Sequence, residues 1–156
     1  MKALFQSVDN LIEPLRGISD KFASPLLDLG IRIYMANIFF KSGMIKLNKF
    51  LNEGWEEFLV PFEEYYPIPG LPAAIAAPAA TVMELVLPVL LVFGLFGRLA
   101  AAGLLVMTIT IQYLVPAEYD LRNIQHYFWM FLFAVILFKG AGRFSVDHYL
   151  LRWLKR

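Results

Sequence analysis

The sequence predicts an all-α integral membrane protein: four spans in a bundle, with amphipathic interfacial helices at the N-terminus, in the first outer loop and at the C-terminus. Three observations predict it. Of 156 residues, 59% are hydrophobic and only 17% charged, with a mean hydropathy of +0.60, too apolar for an ordinary soluble domain. Four apolar stretches, at about 26–47, 71–96, 99–115 and 125–139, approach the roughly 20 residues that cross a bilayer, the fourth being the shortest. The segments between them are short or amphipathic, so residues 1–156 read as one membrane domain. A net charge of +1, divided among segment ends, gives no reason to expect nucleic acid. The absence of cysteine rules out disulfides, thiolate metal sites, covalent haem and a dithiol relay within the chain.

Residues 1–24 place Leu4, Val8, Leu11, Ile12, Leu15, Ile18 and Phe22 at helical intervals among charged residues, the pattern of an interfacial helix or of a loose tail. Acidic residues interrupt this segment, so it is not read as a signal peptide. The first span carries Asp28, Arg32, Lys41 and Lys46. At about 100° per residue Asp28, Arg32, Phe39, Gly43 and Lys46 share one sector, while Asn37 and Lys41 lie opposite. Such a helix needs partners or water on one face.

The following loop alternates Trp55, Phe58, Leu59, Phe62 and Tyr66 with Glu56, Glu57, Glu63 and Glu64, and Pro61 ends or kinks its helix. This acidic, aromatic flap either anchors at the membrane surface or covers a cavity mouth. The second span sets Glu84 beside a face of small residues that includes Ala76 and Ala80, which aims its carboxylate at a neighbouring helix. Pro78 and Pro88 free backbone carbonyls around it. The third span ends in the polar groups Thr108, Thr110, Gln112 and Tyr113 before Pro116, and the short fourth span opens with His126. A glycine turn then leads to Ser145, a candidate N-cap for a basic amphipathic helix over 145–156.

Lysine and arginine are concentrated in the N-terminal segment, the turn at Arg98 and the C-terminal segment, which predicts cytoplasmic termini in a bacterial inner membrane. An ionised side chain at mid-membrane costs about 3 kcal/mol on insertion scales, so Arg32, Lys41, Lys46 and Glu84 call for partners. Two readings stay open: the charges lock spans one and two together, or they line a cavity for the anionic or quinone-like head of a ligand. His126 is an interfacial anchor, or a group that hydrogen-bonds a quinone or transfers a proton. With His148 at the opposite end, no intrachain bis-histidine haem is expected. No metal is expected either, although Glu118, Asp120 and His126 are candidate neighbours.

Several strings resemble the DoxX family of small integral membrane proteins. They are RIYMANIFFKSGMIKL in the first span, the P-G-L-P entry to the second, MELVLPVLLVFGLFGRLAA, and the closing GAGRFSVD. The resemblance runs from about residue 25 to the end and makes Arg32, Gly43, Lys46, Glu84, Arg98, Ser145 and Asp147 the family-typical positions, with Lys41 unmatched. It implies a four-helix membrane bundle related to the small subunit of a thiosulfate to quinone oxidoreductase. One member of that family is associated with a superoxide dismutase and a sulfurtransferase at the membrane, and most members have no settled activity.

The functional expectation is a non-catalytic membrane subunit of a redox or quinone-linked system, docking a soluble redox protein or holding a quinone. The alternatives are a binder or carrier of a small amphipathic molecule, and a scaffold without ligand. Catalysis by this chain alone is not expected, since no nucleophile and base are assembled. Membrane lipid is the expected surrounding, and homo-oligomerisation follows from four spans with small-residue faces. The candidate site residues are Arg32, Lys41, Lys46, Glu84, Gln112 and His126.

Overall fold

The computed structural model describes residues 1–116 and 122–155, with the backbone alone at residues 2–5, 7, 8, 10 and 11. Glu118 and Asp120 lie outside the described residues. The chain is helical almost throughout: α1 Lys2–Ile18, α2 Ser24–Glu53, α3 Trp55–Val60, α4 Ala73–Phe93, α5 Gly97–Ile109, α6 Ile124–Lys139 and α7 Val146–Leu154. A π-helical turn at Ser19–Ala23 joins α1 to α2, so the N-terminal segment is a helix rather than a loose tail. Further π-helical turns extend α3 over Pro61–Tyr65 and α5 over Thr110–Leu114.

Local chemistry explains the ends. Gly54, at φ +89°, stops α2, and Pro72 opens α4, where a missing N–H costs nothing. The α4 helix runs unbroken through Pro78 and Pro88. It closes on Gly94, at φ +63°, whose amide donates to Leu91 while that of Leu95 donates to Leu90. The side chain of Asn123 accepts from the amide of Gln125 at the start of α6, and that of Ser145 accepts from His148 at the start of α7.

Four helices enclose the main core. The α2 helix packs on α4, α4 on α5, α5 on α6, and α6 back on α2. Met35 and Phe39 meet Leu91, Ala100, Ala101, Leu104, Leu132, Phe133 and Ile136, and Phe39 stacks edge-on against Phe133 and Trp129 at 5.4 and 5.7 Å. Burial on α2 falls on Arg32, Met35, Ala36, Phe39 and Gly43, and Asn37 and Lys41 are exposed, which is the division the helical period predicts. A second cluster sets Phe58, Leu59 and Phe62 of the flap on Ala76 and Ala77 of α4, with Glu56, Glu57, Glu63 and Glu64 outward.

Two helices, Ala73–Phe93 and Gly97–Leu114, are long and apolar enough to cross a membrane, and α6 is a shorter apolar helix. Apolar side chains face outward along the bundle, among them Ile33, Val86, Leu99, Val106, Phe131 and Phe138.

Candidate functional site

One end of the bundle carries the flap and the other carries α7. At the flap end, α2 and α4 approach so closely that a Cβ on Gly43 would stand 3.0 Å from the backbone carbon and Cβ of Glu84. One turn beyond that contact, Lys46 Nζ donates to Glu84 Oε2 at 2.6 Å and to Ser42 Oγ at 2.8 Å. The two charged side chains are 17% and 4% exposed, so the pair stands almost out of water, where removing either partner would leave an uncompensated charge. The pairing left open by the sequence is therefore Glu84 with Lys46.

The pair forms part of the wall of a cavity of about 550 Å³ between α2, α4, α5 and the flap. Ser42, Lys46, Glu84, Tyr66 and Thr110 bring polar atoms to it, and Phe62, Ile68, Ala76, Ala80, Met83 and Met107 make most of the rest apolar. Its rim includes Ile45, Val106 and Leu114, all outward-facing and exposed. Tyr66, packed edge-on against Phe62 at 4.7 Å, has its phenol pushed up to about 12 by burial first and by the Glu84 charge second. It is consequently a neutral hydrogen-bonding group at any physiological pH.

Arg32 and Lys41 do not join this site. Arg32 is fully buried at the α7 end, where it donates to the carbonyls of Leu91 at 3.2 Å, Val92 at 2.9 Å and Phe144. It thus answers carbonyls left over at the last turn of α4 and ties the approach to α7 onto that helix. The carboxylate of Asp147 accepts from the amides of Phe96 and Gly97 at 2.9 and 2.8 Å, and the Asp147 amide donates to Gly94 at 3.0 Å. Phe96 holds the left-handed φ of +50°, and these bonds hold that turn in place. Lys139 pairs with Asp28 at 2.7 Å. The expected single network of Arg32, Glu84 and lysine is therefore two separate constellations, one lining a cavity and one fastening helix ends.

Gln112 and His126 form a third group. Gln112 Oε1 accepts from the amide of Asn123 at 3.2 Å and lies 2.8 Å from His126 Nδ1, which therefore carries the proton and leaves Nε2 as an acceptor. His126 is 9% exposed and packs on Trp129. Neither residue lines the flap cavity. Ser42 was missed in the sequence, although its place one turn before Lys46 was a usable signal.

Comparisons with known proteins agree with this picture at the level of family. The chain is 26% identical over 124 residues to a Haemophilus influenzae protein described as "Uncharacterized protein", a match covering 75% of this chain and 78% of the relative. No solved structure matches. The DoxX family profile matches residues 27–117, a range that holds Arg32, Gly43, Lys46, Glu84 and Arg98 but stops before Ser145 and Asp147. That range is more than half of the sequence, and the chain belongs to the DoxX family of membrane proteins.

Proposed function

We propose that this chain is a bacterial inner-membrane protein of four spans, α2, α4, α5 and α6. In this reading it serves as the non-catalytic membrane subunit of a redox or quinone-linked system and holds a quinone-like molecule in the flap cavity. The observation that carries the reading is the Lys46–Glu84 pair on the wall of an otherwise apolar cavity with exposed apolar residues at its rim. In a bilayer such a rim faces acyl chains, so the occupant arrives from the lipid. Its body is apolar, and its polar head meets the Lys46 ammonium, the Ser42 hydroxyl and the neutral Tyr66 phenol. A ring bearing carbonyls suits that set, because the Lys46 ammonium and the hydroxyls of Ser42, Tyr66 and Thr110 supply donors, and the one carboxylate on the wall, that of Glu84, is already engaged by Lys46.

The remaining parts follow from amphipathicity and charge. Leu15, Ile18 and Phe22 near the N-terminus and Leu150, Leu151, Trp153 and Leu154 of α7 are exposed, as helices lying in an interface would have them. Arg98, Lys139 and Arg143 gather at the α7 end, and this basic end supports a cytoplasmic orientation of both termini in the proposed reading. A soluble redox protein would dock at one of the membrane faces.

The test is native mass spectrometry of the gently solubilised protein with extraction of bound small molecules, comparing wild type with Glu84→Gln. A quinone that copurifies with wild type and is lost from the variant supports the reading. A different amphipathic molecule, lost in the same way, moves the conclusion to a carrier or binder. If no small molecule copurifies, the chain is a scaffold.

A further inference from the structure

A second cavity, of about 890 Å³, opens at the α7 end of the bundle, away from Lys46 and Glu84. It is bounded by the turn at 140–143 between α6 and α7, the first turn of α5, the start of α2 and one face of α7. Arg98 and Arg143 line it and are exposed, and no carboxylate lies within ion-pair distance of either among the described residues. The Arg98 guanidinium lies against the turn, its Nε 3.4 Å from the place that a Cβ on Gly140 would take.

Most of the other charges at the cavity are engaged. Lys139 donates to Asp28 at 2.7 Å and to Ser24 at 3.3 Å, and the Asp147 carboxylate is taken up by the amides of Phe96 and Gly97. Asp20, exposed on the turn before α2, is the remaining carboxylate on the wall. Behind that wall the buried Arg32 donates to the carbonyl of Phe144, between the lining residues Arg143 and Ser145. With Arg32 counted and His148 neutral, four positive charges stand against three negative ones. One phosphodiester, carrying a single negative charge, balances them and accepts from both free guanidiniums.

We propose that this cavity seats the headgroup of an anionic phospholipid, with its phosphate on Arg98 and Arg143. The inference rests on the membrane reading proposed above. The apolar part of the wall distinguishes a lipid from a soluble phosphate. Phe96 and Leu99 of α5 and Leu150, Leu151 and Leu154 of α7 line the same cavity and are exposed. A free phosphate gains nothing from them, whereas the glycerol and first methylenes of a lipid cover them. Val106, two turns beyond Leu99 on the same face of α5, continues the apolar path along the helix Gly97–Leu114, which is long enough to cross a membrane. Because that helix begins at Gly97, Arg98 stands at headgroup level while the acyl chains run along α5. An acidic protein surface would answer the guanidiniums but leave the leucines uncovered.

The test titrates lipid onto the purified full chain in detergent and counts bound lipid by native mass spectrometry. The probe is dioleoylphosphatidylglycerol, and dioleoylphosphatidylcholine is its zwitterionic counterpart. Wild type is expected to take up phosphatidylglycerol in preference to phosphatidylcholine. Arg98→Gln combined with Arg143→Gln weakens that binding about thirtyfold, and Arg143→Gln alone about fivefold, the effect of one or two charges near a membrane surface. Arg152→Gln combined with Lys155→Gln removes as much charge from α7 outside the cavity and leaves the binding unchanged. Since Arg98 and Arg143 are exposed and make no ion pair among the described residues, their variants keep the wild-type melting temperature. Equal weakening by the two double variants, no preference for phosphatidylglycerol, or its displacement by equimolar inorganic phosphate overturns the inference. An acidic protein that copurifies in place of lipid and is lost with Arg98 and Arg143 overturns it as well. Alkaline extraction of native membranes separates the two readings. A chain that stays in the bilayer but shows no selective lipid binding sinks the headgroup site alone, whereas one released by alkali sinks the membrane reading and the headgroup site with it.

Discussion

Lys46 and Glu84 meet at 2.6 Å one turn beyond Gly43, and the missing side chain of that glycine is what lets α2 and α4 approach closely enough for the pair to form. The ion pair and the small residue are therefore one device: the contact brings the helix axes together, and the charges sit at the edge of the cavity that opens where the helices part.

The Gly43→Ala substitution tests the contact. The added methyl stands 3.0 Å from main-chain and side-chain atoms of Glu84 and from Leu85 Cδ2, so backbone must shift to admit it. We expect a loss of about 1–3 kcal/mol, read as a lowered melting temperature in detergent. At Gly30 the same methyl meets nothing within 4 Å, and Gly30→Ala is expected to leave stability unchanged or slightly raised. Equal losses at both positions would refute the close-contact account.

The pair itself separates stability from binding. Removing one partner leaves a nearly buried charge without its counter-ion, and Glu84→Gln is expected to destabilise by about 3–5 kcal/mol. Lys46→Met should do likewise. The double variant should recover much of that loss, because no buried charge then remains. Ligand copurification should stay absent in all three. A double variant as unstable as the sum of the singles would mean that the two residues do not act as a pair.

How much of this was legible in the sequence depends on the distance over which each residue acts. The helical class and the inward stripe Arg32, Phe39 and Gly43 follow from composition and a 3.6-residue period, which are local properties. The partner of Glu84 did not follow. Arg32 and Lys46 share the stripe, so only the register of α2 on α4 distinguishes them, and tertiary contacts set that register: Gly43 against Glu84, and Arg32 against the final carbonyls of α4. Tyr66 was hard to assign for the same reason: it lies 20 residues beyond Lys46 in the chain, and the two line one cavity only because the flap folds back over α4. Lys41 was visible from the start as a charge on the wrong face, and the structure leaves it there.

The α7 end provides a third prediction. Asp147 accepts from two amides at the strained Phe96 turn, and Asp147→Asn keeps the shape while removing the charge and one acceptor. A loss of about 1 kcal/mol is expected, together with faster amide exchange at Phe96 and Gly97. Arg32→Lys has a larger effect, about 2 kcal/mol or more, since an ammonium lacks the planar fork that reaches the carbonyls of Leu91, Val92 and Phe144 together. Neither change touches the flap cavity, so ligand copurification should persist in the folded fraction of both.

Tyr66 yields the pH prediction. Burial and the Glu84 charge hold its folded-state value at about 12 against an ordinary value of 10.0. The raised value means that the folded protein keeps the phenolic proton more tightly than the unfolded chain does. The resulting stability is fully present below pH 10 and is lost as the pH rises from about 10 to about 12. Replacing the phenol by a ring that cannot ionise, in Tyr66→Phe, should flatten the fall in melting temperature over that interval without changing the curve near neutrality. Copurification of a quinone should weaken in the same variant, because a neutral hydrogen-bond donor has been removed from the cavity wall. A Tyr66→Phe curve that falls as steeply as wild type between pH 10 and 12 would show that Tyr66 is not held in the buried position against Phe62 and Glu84.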